Sequence, residues 1–588
     1  MKKGFTLFLV YFAFLSLNAQ KKQQAIDTVK TEVVNIVTKY NPKIADAKKI
    51  NKQPKIKLLK NSEKKKLEYT IFSAPVASTF IPKSGVVKGI DVGVKERVYQ
   101  NYLAAGFGNY TTPYLETNLH YSTRFESEFG FNAKYLASLD DVRSSVLNSN
   151  FSNLNIGAFY KQQNRYFDWK VTLNSERNLY NWYGLPNQSN YTATTTGLIA
   201  PQQTYNYFNL IGEFDFNDSY IDYGKINLAY FTDQFNSHEI LANFDAKLAF
   251  PLKFLNLGLD DMLVKAGIEI LKGNFSNSYA DKNTIDYSIV TAKINPEYKL
   301  TYNDFSLNAG VKLIASLDTE NKSNNIFLLP DLFIEGPIIE KYLNIYGGFS
   351  GDLHTNTYKN FTEENPYVSP TLFITQTLEK SNLFVGFNGK VNRDISFNIK
   401  GSYKNEEDKP LFLRNVSKSD GTNNSLNGYT LSGYEYGNSF NVYYDDVKTA
   451  SILAEFAYEY SKNLSFSLQG AYNNYTLENA LEAWNLPSFE GSVSAKYKRN
   501  KWFASSDIFY VSERKDGLYN NIYPSSFKGI ETIASFVDVN LNGGYHFSDK
   551  FSAFLKLNNV LNTEYQRFAN YDTQGFQILG GITYKFDF

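Results

Sequence analysis

Residues 574–588 read QGFQILGGITYKFDF, and the alternation in this stretch sets how the rest of the chain is read. Phe576, Ile578, Gly580, Ile582, Tyr584, Phe586 and Phe588 share one parity; Gln577, Gly581, Thr583, Lys585 and Asp587 share the other, joined there by Leu579. Successive side chains of a strand point to opposite faces, so the stretch predicts a strand with one apolar and one wet face. The pattern recurs at Phe551, Ala553, Leu555 and Leu557 against Ser552, Lys556 and Asn558. It recurs again at Val537, Val539, Leu541 and Tyr545 against Asp538, Asn540, Asn542 and His546, and at Leu464, Phe466, Leu468, Tyr472 and Ile395, Phe397, Ile399, Tyr403.

Two-faced strands serve a soluble sandwich as well as a membrane barrel, and connection lengths separate the two. Going back from the C-terminus, 563–573 is long, 548–550 short, 515–531 long, 499–501 short, 476–489 long and 461–463 short. Outer-membrane barrels have short periplasmic turns and long outer loops, and with both termini periplasmic the loop before the last strand lies outside. The observed phase is the required one. Short polar turns continue upstream at Asn392-Arg393-Asp394, Asn303-Asp304 and Asn217-Asp218-Ser219, where Asn and Asp tolerate tight backbone geometry, while 178–204 and 405–439 are expected outer loops. Roughly 490 residues at some 22 per strand and connection give about 22 strands. The expected fold is therefore all-β: a transmembrane antiparallel β-barrel over 96–588, in the outer membrane of a Gram-negative envelope.

Composition agrees. The 45 Tyr and 47 Phe against 2 Met favour strands over helices. Lys2 and Lys3, the apolar run from Phe5 to Leu17 and the small residue Ala19 predict a signal peptide over 1–19, and no later window is apolar enough for a spanning helix. The absence of cysteine closes disulfide frameworks, thiolate metal sites and a lipid-anchor Cys. Net charge is +1, yet residues 21–66 hold 14 Lys against Asp27, Glu32, Asp46 and Glu63. That local +10, with Lys2 and Lys3, leaves 1 − 10 − 2 = −11 for residues 67–588, so a basic arm over 20–95 precedes an acidic body.

The text FSAFLKLNNVLNTEYQRFANYDTQGFQILGGITYKFDF at 551–588 resembles the closing strands of the TonB-dependent receptor family, through Asn559-Val560-Leu561-Asn562, Glu564-Tyr565 and the terminal GGITYKF. LPSFEGSVSAKYKRNKWFASSDIFY at 486–510 resembles the region before them. The resemblance implies a 22-strand barrel acting in transport across the outer membrane. That family carries a plug domain ahead of the barrel, and nothing in 20–95 reads like one, which puts TonB-driven uptake in doubt. Thr31-Glu32-Val33-Val34-Asn35-Ile36-Val37 is faintly similar to the family's TonB-contacting box, and a short amphipathic strand or helix is the favoured reading of it.

A bare barrel of this girth would be an open hole, so something is expected to fill or gate it. The basic arm folding into a lumen of opposite charge is one expectation, and a solvated periplasmic tail is its counterpart. A partner protein, such as a plug, a lipoprotein or a complex subunit, is another, in which case the chain is a scaffold in an assembly or secretion complex rather than a transporter. Further expected partners are outer-membrane lipid and the outer-membrane assembly machinery. Nucleic acid is not expected, given export, although Lys clusters favour phosphate.

Little in the sequence carries chemistry. His120, His238, His354 and His546 are scattered without metal or catalytic spacing, and His120 and His546 fall on wet parity as lumen hydrogen-bonding groups. Asp140-Asp141, Asp260-Asp261, Asp445-Asp446 and Glu406-Glu407-Asp408 read as turn or loop charges without a calcium register. No Gly-x-Ser-x-Gly appears, so catalytic residues, metal ligands and cofactors are not expected and the chain is not read as an enzyme. In the run Tyr180-Asn181-Trp182-Tyr183-Gly184, Trp182 and Tyr183 are ligand-contact candidates, with a place at the membrane interface as the favoured alternative. Tyr584, Phe586 and Phe588 resemble the signal that delivers barrels to the assembly machinery.

Overall fold

The computed structural model describes residues 98–123, 126–217, 219–250, 262–520 and 523–588. The signal peptide, the arm, the 31–37 box, Asp218 and the Asp260-Asp261 doublet lie outside them. The first eight strands are β1 (Asn101–Gly108), β2 (Thr112–Ser122), β3 (Ser127–Ser138), β4 (Phe151–Gln162), β5 (Phe167–Asn181), β6 (Gln202–Phe216), β7 (Ile221–Asp233) and β8 (His238–Phe250). They begin a 22-stranded antiparallel sheet in which each strand pairs with its neighbours in sequence. The last strand, Gln577–Phe586, pairs with β1 from Asn101↔Phe586 to Gly108↔Leu579, and this ladder closes the barrel. Closure leaves no open edge whose N–H and C=O groups would lie unsatisfied in lipid, at several kcal/mol each.

The parity read in the final strand is the parity of the wall. Ile578, Ile582 and Tyr584 are exposed on the outside, as are Leu555, Val537, Phe466, Leu468, Tyr472, Ile399 and Tyr403 from the other alternating runs. Leu579, the apolar residue on the wet parity, is buried inside against Ala104 and Tyr114, with Phe554 packed alongside. An inner wall tolerates such a residue where neighbouring strands supply apolar partners. Exposed aromatics gather at the end with the short turns, among them Tyr121, Phe129, Tyr166, Tyr302, Tyr460 and Trp502. That belt is what a membrane interface favours, and it marks the periplasmic side.

The turns at this end are tight for a backbone reason. Asn303 (φ 45°) and Asp304 (φ 67°) both adopt the left-handed conformation that two-residue hairpins with native twist demand. At the opposite end the strands run further than the sequence pattern suggested. The loop expected at 178–204 shrinks to 182–201, and that at 405–439 to 415–439, because the flanking strands reach Asn181 and Arg414. The Glu406-Glu407-Asp408 run therefore sits on the strand Ile395–Arg414, not in a loop: Glu406 pairs with Lys404 and Lys409, and Glu407 with Lys380. Ion pairs among inner-wall and rim side chains hold this extension where lipid no longer imposes alternation. The long connection at 515–531 contains a hairpin of its own, Arg514–Tyr519 with Phe527–Ile533.

Candidate functional site

The outer loops do not splay into solvent; they pack on one another across the barrel mouth. Loop 182–201 follows the fifth strand of the ring and loop 415–439 the fifteenth, ten strands apart where eleven is diametrically opposite. They nevertheless touch: Thr192 N–H donates to the Gly421 carbonyl at 3.0 Å and Tyr191 Oη to the Tyr436 carbonyl at 3.0 Å. A methyl group added at Gly433 would overlap the Ala200 carbonyl, so the two backbones meet where only glycine fits.

Trp182 lies at the centre of this cap with no exposed surface. Its Nε1 donates to the Tyr367 carbonyl at 3.1 Å, its carbonyl accepts from Asn438 Nδ2 at 2.6 Å, and its ring centroid is 5.3 Å from that of Tyr434. Tyr183 donates through Oη to the Asp572 carbonyl at 2.9 Å and meets Tyr571 edge-on at 4.8 Å. Tyr571 in turn stacks on Tyr367 and donates to the Asn438 carbonyl. Around them Tyr191, Ile199, Val368, Leu372, Ile374, Leu431, Phe440 and Phe568 complete one apolar core drawn from five loops and their strand ends.

Two ionic knots tie further loops to the 415–439 segment of the cap and to the strand end before it. Glu435, fully buried, accepts from Lys282 at 2.7 Å, Lys418 at 2.8 Å and the Ser432 N–H at 2.7 Å. Arg414 donates through Nη2 to the Gly517 carbonyl at 2.7 Å and to Glu531 at 2.8 Å, while its backbone N–H donates to Asp516 Oδ1 at 3.2 Å. Burial pushes the Asp516 carboxyl up to about 6, against the opposing pull of Arg414. Buried charges of this kind are costly when one partner is removed.

Beneath the cap the short helix Tyr358–Glu364 reaches into the mouth. Thr357 caps it through Oγ1, which accepts from the Asn360 N–H at 3.0 Å. Its first turn is held to the wall by Glu239, which accepts from the Tyr358 N–H at 2.7 Å, the Lys359 N–H at 3.2 Å and Tyr287 Oη at 2.9 Å. Lys359 points its ammonium at Glu176, 2.7 Å away, and at Glu363, 2.8 Å away. Between this helix and the inner wall lies a chamber of about 420 Å³, lined by Asn132, Asn155, Asn174, Asn209 and Asn360 among others.

The residues singled out from the sequence fall as follows. Trp182 and Tyr183 are both in the cap, where their side chains face other loops rather than lipid. His120 lies 3.6 Å from Glu128 and 3.2 Å from Gln100, His354 lies 3.7 Å from Glu379, and the His546 ring packs 5.1 Å from Phe503. No two of the four histidines come together, and no group of three acidic or histidine side chains among the described residues is arranged to hold a metal. Asp141 accepts from the Ser149 N–H at 2.6 Å, and Asp445 accepts the N–H groups of Asn479 and Ala480 at 3.0 Å each, so both organise loops. Tyr584, Phe586 and Phe588 form a ladder of rings 5.8 and 5.5 Å apart at the periplasmic rim. The sequence reading missed the cap core and the amide lining. The second had a legible signal, since Asn132, Asn155, Asn174 and Asn209 all fall on the wet parity of their strands.

No protein-family model matches the chain, and no curated protein matches it in sequence. Solved structures do. The FrpB iron transporter from Neisseria meningitidis superposes with a TM-score of 0.60 at 10% identity, covering 83% of this chain and 82% of its own. The ferric enterobactin receptor PfeA from Pseudomonas aeruginosa gives 0.58 at 10% identity, covering 84% and 81%. The ferripyoverdine receptor of the outer membrane of Pseudomonas aeruginosa, solved with ferripyoverdine bound, gives 0.58 at 12% identity, covering 84% and 72%. At such identity the likeness is one of fold. In strand number, closure and extent, this chain carries the barrel fold of the TonB-dependent outer-membrane receptors.

Proposed function

We propose that the protein is an outer-membrane transporter whose outer mouth is closed by its own loops and whose cap must loosen for solute to pass. The observation that carries this is a chamber on the inner wall directly beneath interlocked loops ten strands apart. A wall with an apolar outside and a polar, cavity-bearing inside suits passage, and the receptors and transporter with the same fold support the direction.

Planar-bilayer conductance tests the proposal with four proteins: the full chain, a chain lacking 21–66, a Trp182→Ala/Tyr571→Ala chain, and the combination. Channel openings in a cap variant, with or without the arm, support transport gated by the cap. Silence in all four sinks it. The occluded mouth also favours a second reading, a non-transporting barrel subunit or scaffold of an outer-membrane assembly or secretion complex. A stable partner retained on native purification, together with that silence, would establish the second reading instead.

A further inference from the structure

Asparagines facing the lumen form a row across consecutive strands. In the register of the wall, Asn118 on β2 stands opposite Asn132 on β3, Asn132 opposite Gly157 on β4, Gly157 opposite Asn174 on β5, and Asn174 opposite Asn209 on β6. Two residues nearer the periplasmic turns the row resumes, with Asn227 on β7 opposite Asn243 on β8. Their outward neighbours Leu173, Phe208, Ile226 and Leu228 are exposed, which fixes the amides on the inside.

The one gap in the upper row is informative. A Cβ at Gly157 would overlap Asn132 Oδ1 and lie 3.0 Å from Asn174 Oδ1, so two amides converge over a glycine that leaves them room. Asn209 Oδ1 and Asn227 Oδ1 are buried without a hydrogen-bond partner among the described residues. Buried acceptors normally find one. The helix Tyr358–Glu364 roofs Asn132, Asn174 and Asn209 of the row, and Asn360 faces the same chamber.

Charge narrows the ligand. An anion would find Lys359 already engaged by both Glu176 and Glu363, and that trio leaves one net negative charge at the edge of the row, with no charge among the amides themselves. What remains is a set of primary amides, each able to donate two hydrogen bonds and accept two, repeated at the strand spacing of about 4.8 Å. Vicinal hydroxyls, which donate and accept along a chain at comparable intervals, match this lining. A peptide would also need apolar places for its side chains, which the row does not provide, and the charged groups beside it, Lys359, Glu176 and Glu363, are engaged with one another.

We propose that the inner-wall row Asn132, Asn174 and Asn209, under the helix Tyr358–Glu364, binds a neutral saccharide. This deepens the transport reading and rests on it for its physiological role, although binding is measured separately from passage.

The test is equilibrium binding of maltohexaose, cellohexaose and hexa-alanine to the full chain and to its Trp182→Ala/Tyr571→Ala form. It is done in an amine-oxide detergent, since a maltoside would compete. At least one hexaose is expected to bind, with affinity falling tenfold or more in Asn132→Leu/Asn174→Leu and in Gly157→Ala, whose added methyl wedges between the two amides. Retention of the heat-modifiable barrel on gels shows that each variant is folded, and Gly157→Ala, which removes no amide, serves should the double variant fail to fold. Binding of neither hexaose to either form overturns the proposal, as does equal affinity in a folded Gly157→Ala, or preference for hexa-alanine. Hexaose binding without flux through the cap variants leaves the saccharide site standing and removes the transport reading; flux without binding does the reverse.

Discussion

Replacing Trp182 by alanine should unlatch the cap while leaving the wall intact. The indole is wholly buried, touches Tyr434 and Phe235, and donates to the Tyr367 carbonyl. Truncating a buried tryptophan removes about 3–5 kcal/mol. Leaving the Tyr367 carbonyl without its donor adds about 1 kcal/mol. If the cap opens as a unit, about 4–6 kcal/mol raises its open fraction by roughly 10³- to 10⁴-fold, at 1.4 kcal/mol per decade. Hydrogen exchange followed by mass spectrometry in lipid nanodiscs reads this directly, because protection of an amide measures the free energy of the opening that exposes it. The N–H groups of Thr192, Lys418 and Phe440, which bond across or within the cap, should exchange faster by that factor. Wall amides should not change. Trp502→Ala is the control, since that ring is exposed on the lipid face at the periplasmic end. Unchanged protection in the cap of Trp182→Ala, or equal loss in Trp502→Ala, would refute the view that Trp182 keys a cooperative cap.

Three further outcomes follow from the same geometry. The Asp516 carboxyl, at about 6 when packed and near 3.8 when its loop opens, binds its proton more tightly in the closed cap. Its contribution is therefore fully present below about 4 and lost as pH rises to about 6, a span of about 3 kcal/mol, and Asp516→Asn should flatten the pH dependence of cap protection across that window. Glu435→Gln leaves Lys282 and Lys418 facing a neutral amide and should loosen the 276–284 and 415–439 loops by about 3–5 kcal/mol, read by limited proteolysis of intact cells; unchanged cleavage would count against the knot. Deleting Phe588, the last ring of the rim ladder, should lower the yield of heat-modifiable barrel in the outer membrane without altering the hydrogen exchange of molecules that do assemble.

The wall was legible because lipid enforces it. Every strand that crosses the membrane keeps an apolar residue at alternate positions, so the runs ending in Phe588, Leu557 and Tyr472 declared both their faces and, through connection length, their direction. Leu579 broke the pattern because the inner face answers to neighbouring side chains, here Ala104 and Tyr114, rather than to a solvent. The cap left no comparable trace. Its contacts join residues hundreds of positions apart, as Tyr183 with Asp572 or Trp182 with Asn438, and no period links them. Tyr180-Asn181-Trp182-Tyr183 therefore resembled a ligand or interface cluster, although the structure uses Trp182 and Tyr183 as core. The amide row was written plainly on the wet parity. It forms no motif along the chain, because these groups are neutral and gather only through the register of seven strands.

The separation of the inner chamber from the cell exterior is most directly measured by cysteine accessibility, for which a chain without cysteine is well suited. Asn155→Cys places a thiol on the chamber wall, and intact cells are treated with a bulky, membrane-impermeant maleimide. A sealed cap predicts no labelling of Asn155→Cys alone and ready labelling once Trp182→Ala and Tyr571→Ala are added. Rapid labelling of Asn155→Cys with the cap untouched would contradict it.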